Sequence, residues 1–492
     1  MFPAPDGALL TRMMCLYRRL PAAAWVSSDD GRRLLSTTRL LLPSGMPGSP
    51  LLTPASHSSR KEPAMTNRLK VGLDICQERN DVCIQDSDGE ILVAHRPFPN
   101  NWPGYQELRQ SLLATLEAHS CQGIDLAGEA TGPFWFHTFR LLAQDSLLAD
   151  RDLHLYLFNP KLVHGFRQAL PPEDKDDIKD PQLVADYLRF SHPQHPWSCQ
   201  SKYLALQRLT RHHCHLAHTL AREKTYFLSL LYLKASEYSH LKPFSDLFGK
   251  TSTTILQNYA TIGELAAIPL DELTELLDRL GKRRFPDPAD NARKLLRVAQ
   301  DSYPMPLELL VPINFALHQL LEEIACLEKL LAASHQNLAA ALQDFPTAQA
   351  LQAWNGLGPV CTGGIIAEIQ DPQRFVAGRK YDRQSHTMRP KTLWDGQAAV
   401  AKFAGLWWPQ KQSGNFAAEE RHLCTQGNVY LRYYLIEGAN SLRRHTAEYA
   451  AYYERKYAES SKHHHWRALV LTARKLIRPV FMLLMKPLTD WH

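Results

Sequence analysis

Three short runs of apolar and β-prone residues open the patterned part of the chain. Residues 69–75, 81–85 and 91–94 have the length and composition of strands. The sequence Asp-Ser-Asp-Gly at residues 86–89 separates the last two runs and is typical of a tight turn. The pattern therefore predicts three consecutive antiparallel strands.

Helices and strands alternate in the next stretch. A helix is predicted over residues 100–119, with asparagine at its start and Pro103 in its first turn. Residues 123–127 predict a fourth strand, Pro133 begins another helix, and residues 153–158 predict a fifth strand. Three antiparallel strands followed by strands that alternate with helices is the order of an α/β ribonuclease H domain.

Two long helical patterns follow, over residues 200–235 and 312–345, in which leucine recurs near helical spacing. The segment between them, residues 243–302, is smaller. The pair predicts an antiparallel α-helical coiled-coil arm that carries an insertion and that dimerises. A plain helical core is the alternative.

Several glycines lie in residues 351–369, where Gly356-Leu357-Gly358 joins two short helical stretches. The pattern predicts a mainly α C-terminal domain with a helix–hairpin–helix-like motif. Glycines in such a turn let backbone amides come close to a phosphate. A tight corner between two helices is the alternative.

The chain has 492 residues, which at about 150 residues per domain predicts roughly three domains. Residues 1–64 are rich in Pro, Ser, Leu and Arg without a sustained period, so we expect a disordered extension upstream of a true start at Met65. Residues 65–198 would form the α/β domain, residues 199–346 the helical arm, and residues 347–492 the C-terminal domain.

Charge is distributed unevenly along the chain, whose net charge is +6. Lys/Arg and Asp/Glu number eight and four in residues 1–64, 28 and 37 in residues 65–373, and 20 and nine in residues 374–492. The corresponding net charges are +4, −9 and +11. A basic segment beside an acidic one indicates that the C-terminal part meets a polyanion such as nucleic acid, and a solvated basic surface is the alternative.

The composition, 45% hydrophobic and 22% charged residues, excludes a chain that is disordered throughout. The best candidate for a membrane span, residues 468–485, is interrupted by Arg474, Lys475 and Arg478, so no membrane association is predicted. The nine cysteines include no Cys-x-x-Cys, which favours a reducing compartment over a disulfide framework or a zinc ribbon.

Four carboxylates could carry chemistry. Asp74 lies inside an apolar strand, where a lone charge is costly, and Glu129 stands just past the fourth strand. Asp177 and Asp180 would share one helix face. A ribonuclease H sheet brings these positions together, and four carboxylates there could hold two Mg²⁺ ions for phosphoryl transfer. The alternative for each residue alone is a solvated charge or a helix cap.

These residues resemble the DEDD motif of the insertion-sequence transposases of the "one-ten" family, which are similar to the Piv/MooV DNA invertases. The resemblance covers about residues 69–484 and implies a RuvC-like first domain. The family's first Asp corresponds to Asp74, and its Glu, in Glu-Ala-Thr-Gly, to Glu129. Its last two Asp, in Lys-x-Asp-x-x-Asp, correspond to Asp177 and Asp180. Asp176 follows the lysine where the family usually has Thr or Asn, and it is the alternative to Asp177.

A serine motif extends the resemblance to the C-terminal domain. The family carries Gly-Leu-x-Pro followed by Gln-Ser-Gly, and this chain has Gly-Leu-Trp-Trp-Pro at residues 405–409 and Gln-Ser-Gly at residues 412–414. The resemblance implies that Ser413 is a nucleophile that attacks DNA and forms a phosphoserine link. A serine hydroxyl needs activation by a base or a metal, which the carboxylate site could supply. Without the resemblance, a Ser-Gly pair is more simply a loop.

The resemblance implies a transposase, or site-specific DNA recombinase, that acts by transesterification with Mg²⁺ or Mn²⁺ and needs no ATP. Its implied partners are DNA, a non-coding guide RNA from the same element, and further copies of the chain in a homodimer or homotetramer. It would work in the bacterial cytoplasm, at the nucleoid. Residues 378–397 are additional to the shorter members of the family, and they form either a nucleic-acid contact or a solvated loop.

Three other functions remain open at this stage. A RuvC-like junction nuclease would use the carboxylates without Ser413. An actin-like sugar kinase also ends its first strand in Asp, but it usually has a glycine in the following turn, where this chain has Ile75-Cys76. A non-catalytic nucleic-acid binder would not need to retain the carboxylates and the serine.

Overall fold

The structure is a computed structural model that describes residues 67–171, 178–382, 384–409, 412–413, 416–417, 422–424, 426–460 and 462–486. The predicted extension 1–64, the start at Met65 and the candidate residues Asp176 and Asp177 lie outside these residues. The described residues divide into two compact units, one formed by residues 220–324 and the other by the remainder. The predicted division into three domains stays a prediction.

The five predicted strands are confirmed and form one mixed sheet. They are β1 (Arg68–Ile75), β2 (Arg79–Gln85), β3 (Ile91–Pro99), β4 (Gly123–Glu129) and β5 (Leu153–Phe158). Their order is β3-β2-β1-β4-β5, with β2 antiparallel to β1 and β3, and with β1, β4 and β5 parallel. β3 runs past the predicted end at residue 94, because it is an edge strand, where Pro97 costs no ladder hydrogen bond.

Helices cover both faces of this sheet. They are α1 (Trp102–Ala118), α2 (Trp135–Gln144), α3 (Ser146–Ala149), α4 (Pro160–Gln168) and α5 (Lys179–Ser191). α1 begins where the sequence predicts, since Asn101 caps it through a bond from the Gly104 amide to the asparagine side chain. Residues of β1 alternate between the faces: Leu73 is buried in the cluster that includes α1 and α2, whereas Gly72 faces α5.

Gly72 lets α5 lie directly on β1. A Cβ at this position would overlap the carbonyl oxygen of Pro181 and stand 2.5 Å from the amide nitrogen of Ala185. The missing side chain therefore fixes how closely the first turns of α5 approach the centre of the sheet.

The two long helices are α6 (Ser201–Lys234) and α12 (Leu307–Ala341), close to their predicted bounds. The segment between them is helical as well: α7 (Tyr238–Leu241), α8 (Lys250–Asn258), α9 (Ile262–Ala266), α10 (Leu270–Leu280) and α11 (Pro288–Asp301). Within the unit of residues 220–324, Phe227, Leu273, Leu295 and Leu317 belong to one buried cluster. The coiled-coil description of the arm stays a prediction.

Among the described residues, the helix that extends α12 to Asp344 is long and apolar enough to cross a membrane by length and composition alone. A core helix passes the same test. Leu317 and Ile324 of this helix are buried in the cluster of the 220–324 unit, whereas only 28% of its apolar stretch is buried.

The C-terminal region is mostly helical, as predicted. Its helices are α13 (Pro346–Gln352), α14 (Pro359–Ile369), α15 (Leu393–Phe403), α16 (Val429–His445), α17 (Ala447–Ala458) and α18 (His464–Leu484). The two short helices predicted on either side of Gly356 and Gly358 are α13 and α14, and Gly356 has a φ of 113°, which favours glycine. Contact of this turn with a phosphate stays a prediction.

The additional segment 378–397 forms a β-hairpin and the start of α15. Its strands are β6 (Arg379–Asp382) and β7 (Thr387–Pro390). Asp395, in the first turn of α15, accepts hydrogen bonds from Lys380 at 2.8 Å and from Arg389 at 2.6 Å. These bonds hold the pKa of Asp395 well below its ordinary value, and they attach the hairpin to the helix.

Candidate active site

Two of the predicted site residues lie side by side at the ends of neighbouring parallel strands. Leu73 of β1 is paired with Gly128 of β4, so the next residues, Asp74 and Glu129, are adjacent. Both are partly buried. Because alternate residues of a strand share a face, Asp74 lies on the same face as Gly72, which is the face that α5 covers.

The third predicted residue, Asp180, lies in the first turn of α5. The close approach of α5 to β1 at Gly72 brings this turn to the carboxyl end of the sheet. Arg167, in the last turn of α4, donates a hydrogen bond to the Asp180 carboxylate, whose side chain is 16% exposed. Asp180 is therefore held by an arginine that belongs to the preceding helix.

The three carboxylates influence one another electrostatically. Burial raises the pKa of Glu129 above its ordinary value, and the negative charge of Asp74 raises it further. Arg167 opposes the shift and Asp180 adds to it. Asp74 and Asp180 are thus near enough to Glu129 to shift its pKa; the shared catalytic site stays a prediction, and Asp177 lies outside the described residues.

The donors suit a hard divalent cation, since carboxylate oxygens are the ligands that Mg²⁺ prefers. The repulsion that raises the pKa of Glu129 is the kind that a bound cation relieves. In the part of the chain that the structure describes, no three His, Cys, Asp or Glu side chains are grouped closely enough to hold a metal ion. Asp74, Glu129 and Asp180 therefore fit a metal by their donor chemistry, but their side chains as they stand are not close enough to one another to form a metal site, and Arg167 is paired with Asp180.

Sequence reasoning missed Asp81, the cross-strand partner of Asp74. Paired residues of antiparallel strands point to the same face, so Asp81 lies beside Asp74. Its carboxylate is buried and accepts from Arg79 Nε at 2.8 Å, and it lies 2.8 Å from His95 Nε2. Asp81 lies beside Asp74 because of the way β1 pairs with β2, and the sequence alone does not show which residues of two strands are paired.

Ser413 lies in a two-residue strand, β8 (Gln412–Ser413), which pairs with β9 (Phe416–Ala417). These two strands belong to the segment between α15 and α16. Described residues near the ends of this segment are joined by backbone bonds from Cys424 N to Trp407 O at 2.9 Å and from Asn428 N to Phe403 O at 2.7 Å.

A buried polar network holds Asn428, at the C-terminal end of this segment. The Asn428 side chain caps α16 by accepting from the Leu431 amide at 2.9 Å, and it donates to Glu368 at 2.7 Å. Glu368, only 1% exposed, is also held by Arg211 and Gln207 of α6. These two residues of α6 thus connect to the segment that follows Ser413.

Comparison with known protein families gives two matches. Residues 71–234 match a model described as Transposase, the DEDD transposase model of the IS110 family, and residues 388–454 match the model described as Transposase IS116/IS110/IS902 family. The first range contains the three carboxylates and the second contains Ser413. No curated protein matches the chain. The order of the two matches, together with the carboxylates at the end of the sheet, shows that this chain belongs to the IS110 family and is a DNA transposase.

Proposed function

We propose that this transposase is the recombinase of an insertion sequence, and that it cuts and rejoins DNA by metal-dependent transesterification through a serine-linked intermediate. The observation that carries the proposal is the convergence of Asp74, Glu129 and Asp180 at the carboxyl ends of β1 and β4. The sheet order β3-β2-β1-β4-β5 supports the assignment of this region to the ribonuclease H/RuvC-like class.

In this proposal Asp74, Glu129, Asp177 and Asp180 hold Mg²⁺ or Mn²⁺. The family's DEDD designation indicates dependence on a divalent metal. Bound there, the metal would activate the attacking oxygen and stabilise charge on the leaving oxygen. Arg167, which pairs with Asp180, would keep that carboxylate oriented.

Ser413 would supply the nucleophile. Its Oγ forms a bond to the phosphorus of the scissile phosphate while the bond from phosphorus to one deoxyribose oxygen breaks. The proton that Oγ loses goes to a base or to solvent, and the released deoxyribose oxygen takes up a proton. The product is a phosphodiester between protein and DNA, together with a free DNA hydroxyl.

Rejoining would reverse these events with a different strand. The hydroxyl of that strand attacks the phosphorus, and Ser413 Oγ leaves and regains a proton. One phosphodiester is exchanged for another in each step, so the sequence of reactions needs no ATP. The ends of the segment that carries Ser413 are held by backbone bonds between Trp407 and Cys424 and between Phe403 and Asn428.

A guide RNA would supply the sequence specificity by base pairing with donor and target DNA. The protein would then recognise phosphates and nucleic-acid shape rather than bases. The net charge of +11 over residues 374–492 supports binding to such polyanions. We place this activity in the bacterial cytoplasm, at the nucleoid.

A homodimer or homotetramer is part of the proposal. Leu307, Val311 and Phe315 recur every fourth residue on α12, and their exposures are 60%, 60% and 64%. Side chains at this spacing form one stripe along a helix. An exposed apolar stripe on a long helix is typical of a surface that pairs with a second copy of the same chain.

The decisive experiment traps the intermediate on a nicked DNA substrate and maps the joined residue by mass spectrometry. Ser413→Ala should abolish both trapping and recombination while DNA binding is retained. Ser413→Cys should retain a trace, because a thiolate is a competent nucleophile. Ser441→Ala, a change at a helical serine within the same family match, is the control and should behave as wild type. Normal recombination by Ser413→Ala would show that a DNA hydroxyl or water, and not Ser413, is the nucleophile, and cleavage by the wild type without trapping or rejoining would favour a RuvC-like junction nuclease.

Metal dependence has its own test. Asp74→Asn removes one negative charge from the carboxylate site and should abolish strand cleavage while the fold is retained. Asp150→Asn changes an exposed carboxylate at the end of α3 and should leave cleavage intact. Cleavage that continues in excess chelator would refute the metal site without bearing on Ser413.

A further inference from the structure

A cavity of about 440 Å³ lies in the C-terminal region, between α15, α17 and α18. Its volume falls within the range of small-molecule sites, roughly 300–1,000 Å³. It lies in the same compact unit as the carboxylate site, but none of the site residues lines it. The lining includes Trp394, Gln397, Tyr452, Arg455, Lys475 and Arg478.

The lining combines four cationic side chains with two aromatic rings and contains no carboxylate. The Arg478 guanidinium lies 4.2 Å from the centre of the Trp394 ring. Arg455 and Lys475 lie 5.2 Å and 4.9 Å from the centre of the Tyr452 ring. Rings attract these cations without neutralising them, so the positive charge remains available to an anion.

The carboxylates near this cavity stand outside its lining. Lys475 Nζ lies 2.8 Å from Glu448, whose side chain is 74% exposed. Arg455 lies 3.9 Å from Glu459, whose side chain is 51% exposed. Exposed ion pairs of this kind contribute little and are easily exchanged for a phosphate.

Gln397 contributes a polar side chain to the lining. Gln397 lies on α15 between Trp394 and Ala401, and its side-chain oxygen is buried without a hydrogen-bond partner among the described residues. A buried unpaired amide oxygen is costly, so a ligand N–H donor would satisfy a group that the protein leaves unsatisfied. Amino and imino groups on the edges of nucleobases are donors of this kind.

We propose that this cavity is a nucleotide pocket that accepts one unstacked base of a single-stranded nucleic acid. Trp394, 60% exposed, offers a ring face for stacking, and Gln397 lies beside it in the lining. Arg455, Arg474 and Arg478 receive the flanking phosphates. A duplex keeps its bases stacked on one another, so it cannot insert a base into a cavity, whereas a single strand can.

The proposal of this pocket rests on the proposed function only because it takes nucleic acid as the ligand. Binding to the pocket requires neither Ser413 nor a metal. The assay therefore measures equilibrium binding of short labelled oligouridine and oligothymidine strands, and of a duplex, to the full chain in the presence of chelator. Ser413→Ala should bind all three as the wild type does. A failure of the serine chemistry would leave this result unchanged.

Trp394→Ala should weaken binding of single strands about 5- to 150-fold, the loss expected for one base–aromatic stack, and should leave duplex binding unchanged. Trp102→Ala is the matched control, since Trp102 is 56% exposed and also lies in the first turn of a helix. The control should bind as wild type. A larger effect on RNA than on DNA, or the reverse, supports the pocket and identifies the strand that it prefers.

Two further experiments test the positive charge of the cavity and the position of the bound strand. Arg478→Gln should lower single-strand affinity and reduce the salt dependence by about one released counterion, whereas Arg297→Gln, on the exposed face of α11, should change neither. Photocrosslinking of a strand that contains 5-iodouridine should join it to Trp394 or Tyr452. Crosslinks confined to other residues, or unchanged binding of both strands by Trp394→Ala, would overturn the proposal.

Discussion

Arg211 of α6 binds Glu368 of α14 in a bidentate pair, with Nε 2.7 Å from Oε1 and Nη2 2.9 Å from Oε2. The glutamate side chain is fully buried, and the arginine keeps 33% of its side chain exposed. The Arg211 guanidinium also lies 4.5 Å from the centre of the Tyr430 ring. One buried carboxylate therefore joins the helix that follows the α/β region to the beginning of α16.

Arg211→Met should destabilise the compact unit that contains the active site by about 3 kcal/mol. Removing one partner of a buried pair leaves the other charge uncompensated, which typically costs 3–5 kcal/mol, and the partial exposure of Arg211 favours the low end. Urea unfolding would measure the change. Arg293→Met, in an exposed ion pair with Asp287, is the control and should cost less than about 1 kcal/mol. Equal effects of the two changes would contradict this account of the network.

Gly72→Ala should impair both folding and catalysis. The added Cβ would overlap the Pro181 carbonyl oxygen, so α5 must move away from β1 and carry Asp180 with it. Overpacking of this kind lowers the free energy of unfolding by about 1–3 kcal/mol. A shift of the Asp180 carboxylate by about 1 Å is enough to reduce the rate of catalysis about a hundredfold.

Gly165→Ala provides the matched control for that prediction. Gly165 lies in α4, and a Cβ there would have no atom within 4 Å. Alanine favours a helix over glycine, so this change should stabilise the protein by up to about 1 kcal/mol and leave cleavage intact. Thermal melting and strand-cleavage rates should be measured for both variants. A loss seen only in Gly72→Ala would come from the clash between the new Cβ and α5, and not from replacing a glycine as such.

The sequence predicted the parts of the site that depend on local pattern. Asp74 and Glu129 could be placed because each ends or interrupts a short apolar strand, and β5 occupies the predicted residues 153–158. Asp81 was missed because its position depends on a cross-strand register. The Arg211–Glu368 pair spans 157 residues of sequence, and no local pattern connects two such positions.

Lys234 provides a pH-dependent test of the helical unit. Its ammonium group donates to the carbonyl oxygens of Leu256 and Tyr259, at 3.0 Å and 2.6 Å, near the end of α8. Burial lowers the pKa of Lys234 to about 8, and Glu264 opposes the shift. Between about pH 8 and the ordinary lysine pKa, near 10.4, the unfolded chain binds a proton that the folded chain does not.

The free energy of unfolding should therefore gain a contribution from Lys234 that rises with pH over this window, by at most about 1.4 kcal/mol per pH unit. Lys234→Met should remove that slope and should also destabilise the unit by about 1–3 kcal/mol, because two carbonyl oxygens lose their donor. Lys294→Met, at an exposed lysine of α11, should keep the wild-type slope. Unfolding measured across the window in all three proteins decides the matter, and identical slopes would rule out a depressed pKa at Lys234.

Phe315 on α12 tests self-association. Its side chain is 64% exposed and continues the apolar stripe formed by Leu307 and Val311. If a second copy covers this stripe, Phe315→Ser should weaken association by about 2 kcal/mol, or roughly 30-fold in the dissociation constant, because the burial of one large apolar side chain is lost. Tyr303→Ser removes an aromatic ring that is 74% exposed but lies before α12, so it should leave association unchanged. Sedimentation velocity over a range of concentrations measures both variants, and a wild-type chain that stays monomeric at micromolar concentrations would show that the stripe does not mediate assembly.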